Sequence, residues 1–337
     1  MLFFIWIKIS SSNPKNIFLQ YSLKKEGYRI QKNMVHGTHN SIDDPRNKDI
    51  KIFINGELFL RQDAKISVFD SGYLVGDGVW EAMRLHKGVL VFLDLHLDRL
   101  WAGAAAIGMK LDFDRDKLIQ NIWNTLDANN MLDNVHVRVM VTRGFKKTPS
   151  QDPRLTISGP NIVIIPEYKI SSSETKEKGI TLFTSTIRRG SPDYLDPRLN
   201  CHSKLHEVQA LIQAIEAGAD EALMLDINGF VSTCNATNFF IVKDNEVLTS
   251  TGEYCMNGIT RANIIRVCKE NNIPCSQKNF SLFDVYDADE AFVTGTFGGL
   301  TPVVKIDGRV IGKGKYGDFT KKINSLYEDL IKQEISK

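Results

Sequence analysis

The chain lacks the composition that marks nucleic-acid-binding and membrane proteins. Its 42 Lys and Arg residues nearly balance 40 Asp and Glu residues, which leaves a net charge of +2 over 337 residues. Neither half carries a long basic run, so the sequence predicts no nucleic-acid partner and no membrane partner. The apolar run at residues 1–7 ends at Lys8 and is too short for a membrane span or for a normal signal peptide.

Cysteine is scarce, and its spacing excludes a disulfide framework. The five cysteines are odd in number, form no C-x-x-C pair and lie scattered in the second half of the chain (Cys201, Cys234, Cys255, Cys268 and Cys275). Disulfide-rich secreted domains show an even number at regular spacing. The sequence therefore predicts a reducing, cytoplasmic environment.

The length fits two domains of ordinary size, preceded by an extension. Residues 8–50 are polar and show no sustained periodicity, so we expect residues 1–47 to be weakly ordered. Met34 is an alternative start that the sequence does not decide. We predict a small N-terminal domain over residues 48–170 and a C-terminal domain over residues 171–337, with the polar segment Ser171–Lys178 at their boundary.

Strands dominate the first half of the chain. Alternating residues around Asn55-Gly56 predict a β-hairpin, since this dipeptide favours tight hairpin turns. Lys65–Phe69 reads as a further strand, and Val79–Leu85 begins a second hairpin. Helical apolar spacing follows over residues 93–109. The pattern indicates an α+β fold with an antiparallel sheet.

Three features of the sequence suit a phosphate. Gly258-Ile259-Thr260 stands at a predicted helix start, where free N–H groups and the helix dipole favour a dianion. Thr296 lies in a Gly-rich turn after a predicted strand, and Arg99 lies on an amphipathic helix. Each feature also has a structural explanation: an ordinary N-cap, a common turn and a solvated arginine.

Two further candidate sites, a histidine pair and a lysine, lie at or next to the start of a predicted helix, Ser203–Ala217. His202 and His206 are four residues apart and could share a metal ion, but no third ligand of suitable spacing follows, so we predict no metal site. Lys204 lies between them. A lysine at a helix start is usually solvated, and it becomes a nucleophile only if it is buried beside a cofactor.

Taken in order, the motifs resemble class IV (fold-type IV) pyridoxal-phosphate (PLP) enzymes, above all the branched-chain aminotransferases. The resemblance covers about residues 51–330. It rests on ISVFDSGYLVGDGVWEAMR, HLDRL, GADEALMLDINGFVSTCNATNFFIVKDNEVLTS, NGITRANIIRVC and ADEAFVTGTFGGLTPV. It implies an N-terminal α/β sandwich, a C-terminal pseudo-barrel, PLP in the cleft between them, and a homodimer whose partner helps to close each site.

The resemblance also implies roles for individual residues. The phosphate of PLP would be held by Arg99, by the N–H groups of Ile259 and Thr260, and by Thr296. The substrate would be contacted by five further residues: Tyr73 and Trp80 in the side-chain pocket, Arg138 as a second carboxylate anchor, and Phe297 and Gly298 near the substrate carboxylate.

Two positions depart from the family pattern. Counting back from Glu221 without a gap places Asn200 where the family has the lysine that forms a Schiff base with PLP. Thr233 stands where the family has a glutamate that pairs with the pyridine nitrogen. Either the segment is shortened or shifted by one turn and Lys204 supplies the amine, or that lysine is absent and PLP binds poorly or not at all. A residue four positions along a helix lies about 5–6 Å away, within reach of a lysine side chain.

The resulting expectation is a PLP-dependent aminotransferase with Lys204 as catalytic residue. It would act on a small hydrophobic amino acid, with a 2-oxo acid, 2-oxoglutarate, as acceptor. Thr233 would make the protein a slower transaminase than its relatives, or something other than a transaminase, because a hydroxyl keeps the ring nitrogen less protonated than a carboxylate does. The alternatives are a D-amino-acid transaminase, an aminodeoxychorismate-type lyase, and a catalytically silent homologue that binds PLP or another ligand.

Overall fold

The first sheet is antiparallel and has six strands. A computed structural model describes residues 37–39, 41 and 43–337. The strand order is β2-β1-β6-β5-β3-β4. The strands are β1 (Lys51–Ile54), β2 (Glu57–Leu60), β3 (Gly78–His86), β4 (Val89–Leu90), β5 (Val135–Thr142) and β6 (Asn161–Tyr168). Three helices accompany them: α1 (Ser71–Val75), α2 (Leu93–Ala106) and α3 (Arg115–Asp127).

The second sheet is mixed and curls back on itself. Its path is β12-β11-β10-β13-β14-β7-β8-β9, with β15 paired to β14. Strand β9 ends that path yet also lies against β10, which stands in its middle. The strands are β7 (Ile180–Thr184), β8 (Glu221–Leu225), β9 (Val231–Cys234), β10 (Asn238–Lys243), β11 (Glu246–Thr249), β12 (Cys275–Gln277), β13 (Glu290–Gly295), β14 (Gly299–Ile306) and β15 (Arg309–Val310).

Six helices belong to the second half of the chain. They are α4 (Ser173–Lys178), α5 (Pro192–Leu195), α6 (Leu205–Glu216), α7 (Ile259–Glu270), α8 (Leu282–Tyr286) and α9 (Asp318–Ile335). Short 3₁₀ turns at Pro45–Lys48 and Pro153–Leu155 complete the described part of the chain. No helix in that part is long and apolar enough to cross a membrane.

Alternation along the strands separates the core from the site. In β3 and β5, fully buried Met83, Leu85, Val137 and Val139 point into a core that α2 and α3 cover. Their neighbours in the sequence point to the opposite face, since successive side chains of a strand alternate. That opposite face carries the polar and aromatic residues of the candidate site.

The structure confirms the first predicted hairpin and corrects the predicted strand after it. Asn55 and Gly56 both have positive φ and connect β1 to β2. Residues 65–69 form turns and irregular backbone, with Ile66, Val68 and Phe69 exposed. These apolar side chains are not part of either sheet, so the strand prediction from their β-type composition was wrong.

The predicted domain boundaries remain a prediction. The described residues all belong to one compact unit, and the predicted boundary after residue 170 lies between β6 and α4. The polar segment Ser171–Lys178 contains a short helix, α4. Residues 1–36, which make up most of the predicted extension and include Met34, lie outside the described residues.

Candidate active site

A cavity of about 330 Å³ is lined by residues from both sheets. The first sheet contributes the side chains on the face away from its core: Trp80 and Ala82 of β3 and His136 and Arg138 of β5. Ala82 and Arg138 are direct partners in the antiparallel register, which places them side by side. The second half contributes residues 233–238, the start of α7 and the turn between β13 and β14.

The start of α7 is built for an anion. Gly258 caps this 12-residue helix with extended backbone, and no side chain caps its first N–H groups. A Cβ at Gly258 would collide with the amide of Asn238, so only glycine fits there. Ile259 and Thr260 line the cavity at this end, as does Thr296. Free N–H groups, a helix dipole and hydroxyls together favour a phosphate.

Arg99 is fixed beside the helix start by a buried carboxylate. Its Nε and Nη2 donate to the two oxygens of Glu81 at 2.6 and 2.8 Å, and Nη1 donates to the carbonyl of Asn257 at 3.2 Å. His96 Nδ1 lies 2.7 Å from Glu81. Burial alone would raise the pKa of Glu81, but the hydrogen bonds from Arg99 and His96 lower it. The carboxylate therefore stays charged and holds the guanidinium at the cavity wall.

Asn200 lies at the position that the ungapped count from Glu221 assigns to the family's lysine. Residues 200–202 pair with β3: the N–H of Trp80 donates to the Asn200 carbonyl at 2.9 Å, and Asn200 Nδ2 donates to the Trp80 carbonyl at 2.6 Å. Asn200 Oδ1 is buried and has no hydrogen-bond partner among the described residues. Because a buried acceptor without a partner is costly, this oxygen is available to a donor on a bound ligand.

Lys204 also lines the cavity, as the residue preceding α6. Its side chain is 30% exposed, and Nζ lies 3.5 Å from Glu207 Oε1. The helix begins at Leu205 rather than at Ser203, and the N–H of His202 donates to the carbonyl of Gly78. His202 therefore lies outside the helix, and the predicted helical spacing between His202 and His206 was wrong.

Glu207 anchors a cluster of charges next to Lys204. Arg189 Nη1 lies 2.8 Å from Glu207 Oε1 and 2.9 Å from His206 Nε2, and His206 Nδ1 lies 3.0 Å from Glu207 Oε2. Burial would raise the pKa of Glu207, but His206, Lys204 and Arg189 together lower it to about 2. The carboxylate is therefore ionised at neutral pH, and Arg189 shares it with Lys204.

Thr233 lines the cavity as a neutral, buried hydroxyl. Its Oγ1 donates to the carbonyl of Thr237 at 2.8 Å, and Asn238 Nδ2 approaches it at 3.4 Å. The hydroxyl proton is thus engaged by the protein backbone. At this position the site offers a dipole and no negative charge.

The predicted substrate residues divide into two groups. Trp80, Arg138 and Phe297 line the cavity. Gly298 is buried and does not line the cavity, and Tyr73 lies on α1 with 73% of its surface exposed. Within one protomer, the structure therefore places Tyr73 and Gly298 outside the site.

Three charged residues of the cavity lining were not predicted as site residues: Lys169, Arg189 and Glu207. Arg189 and Glu207 are 18 positions apart in the sequence, and only the fold brings them together. Lys169 lies just beyond the end of β6 and lines the same cavity, and no sequence pattern marked it as facing the cavity.

The chain is similar to aminotransferases in sequence and in structure. The family model for amino-transferase class IV matches residues 78–306. A branched-chain-amino-acid aminotransferase-like protein 2 of Arabidopsis thaliana is 40% identical over 290 residues, which are 86% of this chain and 52% of that protein. The chain thus spans about half the length of this relative. A putative branched-chain-amino-acid aminotransferase of Methanocaldococcus jannaschii is 39% identical over 83% of this chain and 96% of its own length.

A solved structure agrees with these sequence matches. A branched-chain amino acid aminotransferase of T.th., solved with pyridoxamine 5'-phosphate, superposes with a TM-score of 0.80 and 26% identity, covering 85% of this chain and 95% of that one. At 30% identity, the relatives include a D-alanine aminotransferase of Bacillus licheniformis, matched over 86% of this chain and 99% of its own length. The predicted fold class is confirmed, and the chain belongs to the class IV aminotransferase family.

Proposed function

We propose that this chain is a PLP-dependent aminotransferase that moves an amino group from a small hydrophobic amino acid to 2-oxoglutarate, with Lys204 as its catalytic amine. The observation that carries the proposal is that an anion site and a lysine line one cavity. Arg99, Thr260 and Thr296 supply the anion site, and Lys204 is part of the same lining. In this family, PLP supplies the electron sink that makes the α-proton of an amino acid acidic.

The residues present fit PLP at its phosphate end. The uncapped start of α7, the clamped guanidinium of Arg99 and the hydroxyl of Thr296 would hold the phosphate. Near the ring, the chain offers the unpartnered Oδ1 of Asn200 and the hydroxyl of Thr233. These two residues can hold a ring by hydrogen bonds, but neither one is an amine that could bond to it covalently.

Lys204 is the residue left to move the proton. Its amine must lose a proton before it can accept one from the substrate α-carbon. Glu207 Oε1 accepts from Lys204 Nζ at 3.5 Å and from Arg189 Nη1 at 2.8 Å, so the two cations share one carboxylate oxygen.

A catalytically silent, PLP-binding homologue is the second candidate. It is favoured by the uncharged Thr233 and by Asn200, whose amide is fixed to the Trp80 backbone. A D-amino-acid transaminase would differ only in the handedness of its substrate. The similarity to D-alanine aminotransferase supports this alternative. An aminodeoxychorismate-type lyase is a further rival within the family.

We also propose a homodimer in a reducing cytoplasm. Four residues of α6 form an exposed apolar stripe at helical spacing (Leu205, Val208, Ile212 and Ile215). Val68, Phe69 and Tyr73 form a second exposed apolar segment. Exposed apolar surface of this kind marks a protein interface, and a two-fold dimer is the commonest solution. All five cysteines are free, as a reducing environment requires.

The test is turnover with and without Lys204. Purified protein is given PLP and a panel of L- and D-amino acids, with 2-oxoglutarate or pyruvate as acceptor. We expect L-branched-chain substrates and 2-oxoglutarate to be preferred, and Lys204→Ala to lower kcat/KM by at least about 100-fold, the usual scale for losing a general base. Lys278→Ala is the control, because Lys278 is exposed and does not line the cavity. Equal rates for Lys204→Ala and wild type would refute the role of Lys204.

A further inference from the structure

The amide of Asn200 lies in the cavity wall with a fixed orientation. Its Nδ2 donates to the carbonyl of Trp80 at 2.6 Å and to Oε1 of Glu81 at 3.5 Å. Both of these oxygens are acceptors, the first as a carbonyl and the second as a carboxylate. If the amide were flipped, its own oxygen would face two acceptors. Nδ2 therefore stays on the side of Trp80 and Glu81, and Oδ1 points away from them.

This orientation leaves Asn200 Oδ1 as an acceptor without a donor. The oxygen is buried, and no donor in the part of the chain that the structure describes forms a hydrogen bond with it. The residue is 5% exposed and lines the 330 Å³ cavity. A buried acceptor without a partner is costly, so a ligand that brings a donor to this oxygen gains affinity.

Position 200 is also where the family's lysine would meet the cofactor. In the family that lysine bonds to the 4' carbon of the cofactor ring, and the ungapped count places Asn200 there. An amide cannot form that bond. Its oxygen can accept a hydrogen bond from a 4' amine, whereas a 4' aldehyde presents a second acceptor and a 4' methyl group presents no polar atom. The chemistry at this position thus favours recognition of an amine over covalent capture of an aldehyde.

We propose that Asn200 makes the site selective for a pyridoxyl phosphate that carries an amine at its 4' carbon, the aminated form of the cofactor. The phosphate would lie at the uncapped start of α7, and the 4' amine would donate to Asn200 Oδ1. This recognition forms and breaks no covalent bond. The inference rests on the proposed function, because it takes the ligand of the cavity to be a pyridoxyl phosphate, and it assigns to Asn200 the choice between forms of that ligand.

Binding measurements with a matched pair of cofactor analogues test this selectivity. Pyridoxamine 5'-phosphate and 4-deoxypyridoxine 5'-phosphate share the ring and the phosphate, and they carry an aminomethyl and a methyl group, respectively, at the same ring carbon. Neither one reacts with a lysine, so the comparison is independent of Lys204. Each is titrated into the full chain by calorimetry, with inorganic phosphate as a competitor to show that both occupy the anion site. We expect the amine to bind at least about 10-fold more tightly, because it pairs a buried acceptor that the methyl group leaves unpaired.

Substitutions assign the preference to Asn200. Asn200→Leu keeps the branched shape of the side chain and removes its polar atoms, so we expect the ratio of the two affinities to fall by about 10-fold. Asn200→Ala is a second variant that removes the acceptor without adding bulk. Both variants keep the backbone carbonyl that accepts from the Trp80 N–H at 2.9 Å. Asn124→Leu is the control and should leave the ratio unchanged, because Asn124 is exposed on α3 and does not line the cavity.

The outcomes separate this inference from the proposed function. Equal affinities in the wild type, or a ratio that Asn200→Leu and Asn200→Ala leave unchanged, overturn the role of Asn200. Preference for the amine in a protein that shows no turnover supports the inference, while the catalytic role of Lys204 fails. Turnover that requires Lys204, without a preference for the amine, has the opposite meaning. If neither analogue binds, both the inference and the proposed function are wrong.

Discussion

Replacing Glu207 by glutamine should destabilise the protein much more than a similar change on the surface. Glu207 is 8% exposed and lies within 3.5 Å of Arg189 and Lys204. Its pKa falls from 4.5 to about 2 on folding, since the nearby His206, Lys204 and Arg189 outweigh burial. At about 1.4 kcal/mol for each pH unit, this change corresponds to roughly 3 kcal/mol of folding free energy at pH 7.

The effect of Glu207→Gln must depend on pH in a defined direction. A carboxyl whose pKa is depressed on folding stabilises the folded state above its unfolded pKa and loses that contribution as the pH falls through its folded pKa. The difference between wild type and Glu207→Gln should therefore be constant above about pH 5. It should shrink between pH 4.5 and about 2, where the carboxyl of the wild type becomes protonated.

The assay is urea unfolding of wild type and Glu207→Gln at pH 7 and pH 4, compared with Glu270→Gln. Glu270 pairs with Arg266 at 2.8 Å on an exposed helix face, so its loss should cost below about 1 kcal/mol. Removing Glu207 leaves Arg189 buried without its carboxylate, a change of the kind that costs several kcal/mol. If Glu207→Gln lowers the free energy of unfolding by less than about 1 kcal/mol, the charge cluster around Glu207 is refuted.

Two more substitutions probe the scaffold and the lysine position. Asp70 accepts hydrogen bonds from Gly72 N, Tyr73 N, Thr142 Oγ1 and Asn161 Nδ2. Asp70→Ala should therefore lower the free energy of unfolding in urea by about 2–4 kcal/mol. Asp114→Ala, which removes only an exposed cap, should cost about 1 kcal/mol, and equal losses for the two would contradict this view of Asp70. Asn200→Lys should move the borohydride-fixed pyridoxyl label to position 200 and raise turnover at least about 10-fold. A label that stays on Lys204, with unchanged turnover, would contradict the assignment of position 200 to the family's lysine.

Much of the anion site follows from local sequence signals. Gly258 is required by the close approach of Asn238, and the helix start after it is marked in the sequence by Gly-Ile-Thr. A glycine before a helix start and an arginine on an amphipathic helix are local patterns, and each predicts an anion site without knowledge of the fold. The clamp of Glu81 on Arg99 was not predicted, because it joins residues of different elements.

The charge pattern around Lys204 could not be predicted in the same way. Arg189 lies on a loop, and the fold of that loop determines that Arg189 pairs with Glu207 of α6. Likewise, the sequence does not show which carboxylates lie near Arg138 and Lys169, because only the fold determines those neighbours. The strand predicted at Lys65–Phe69 was wrong, because β-type composition depends on context and these residues are exposed and outside both sheets.

Mass spectrometry after borohydride reduction identifies the lysine that bonds to PLP. The protein is saturated with PLP, reduced and digested, and the peptide that carries the pyridoxyl group is identified. We expect a single labelled site at Lys204, and no label on the Lys204→Ala variant. Labelling at another lysine, or no label with PLP in excess, would contradict the proposed role of Lys204.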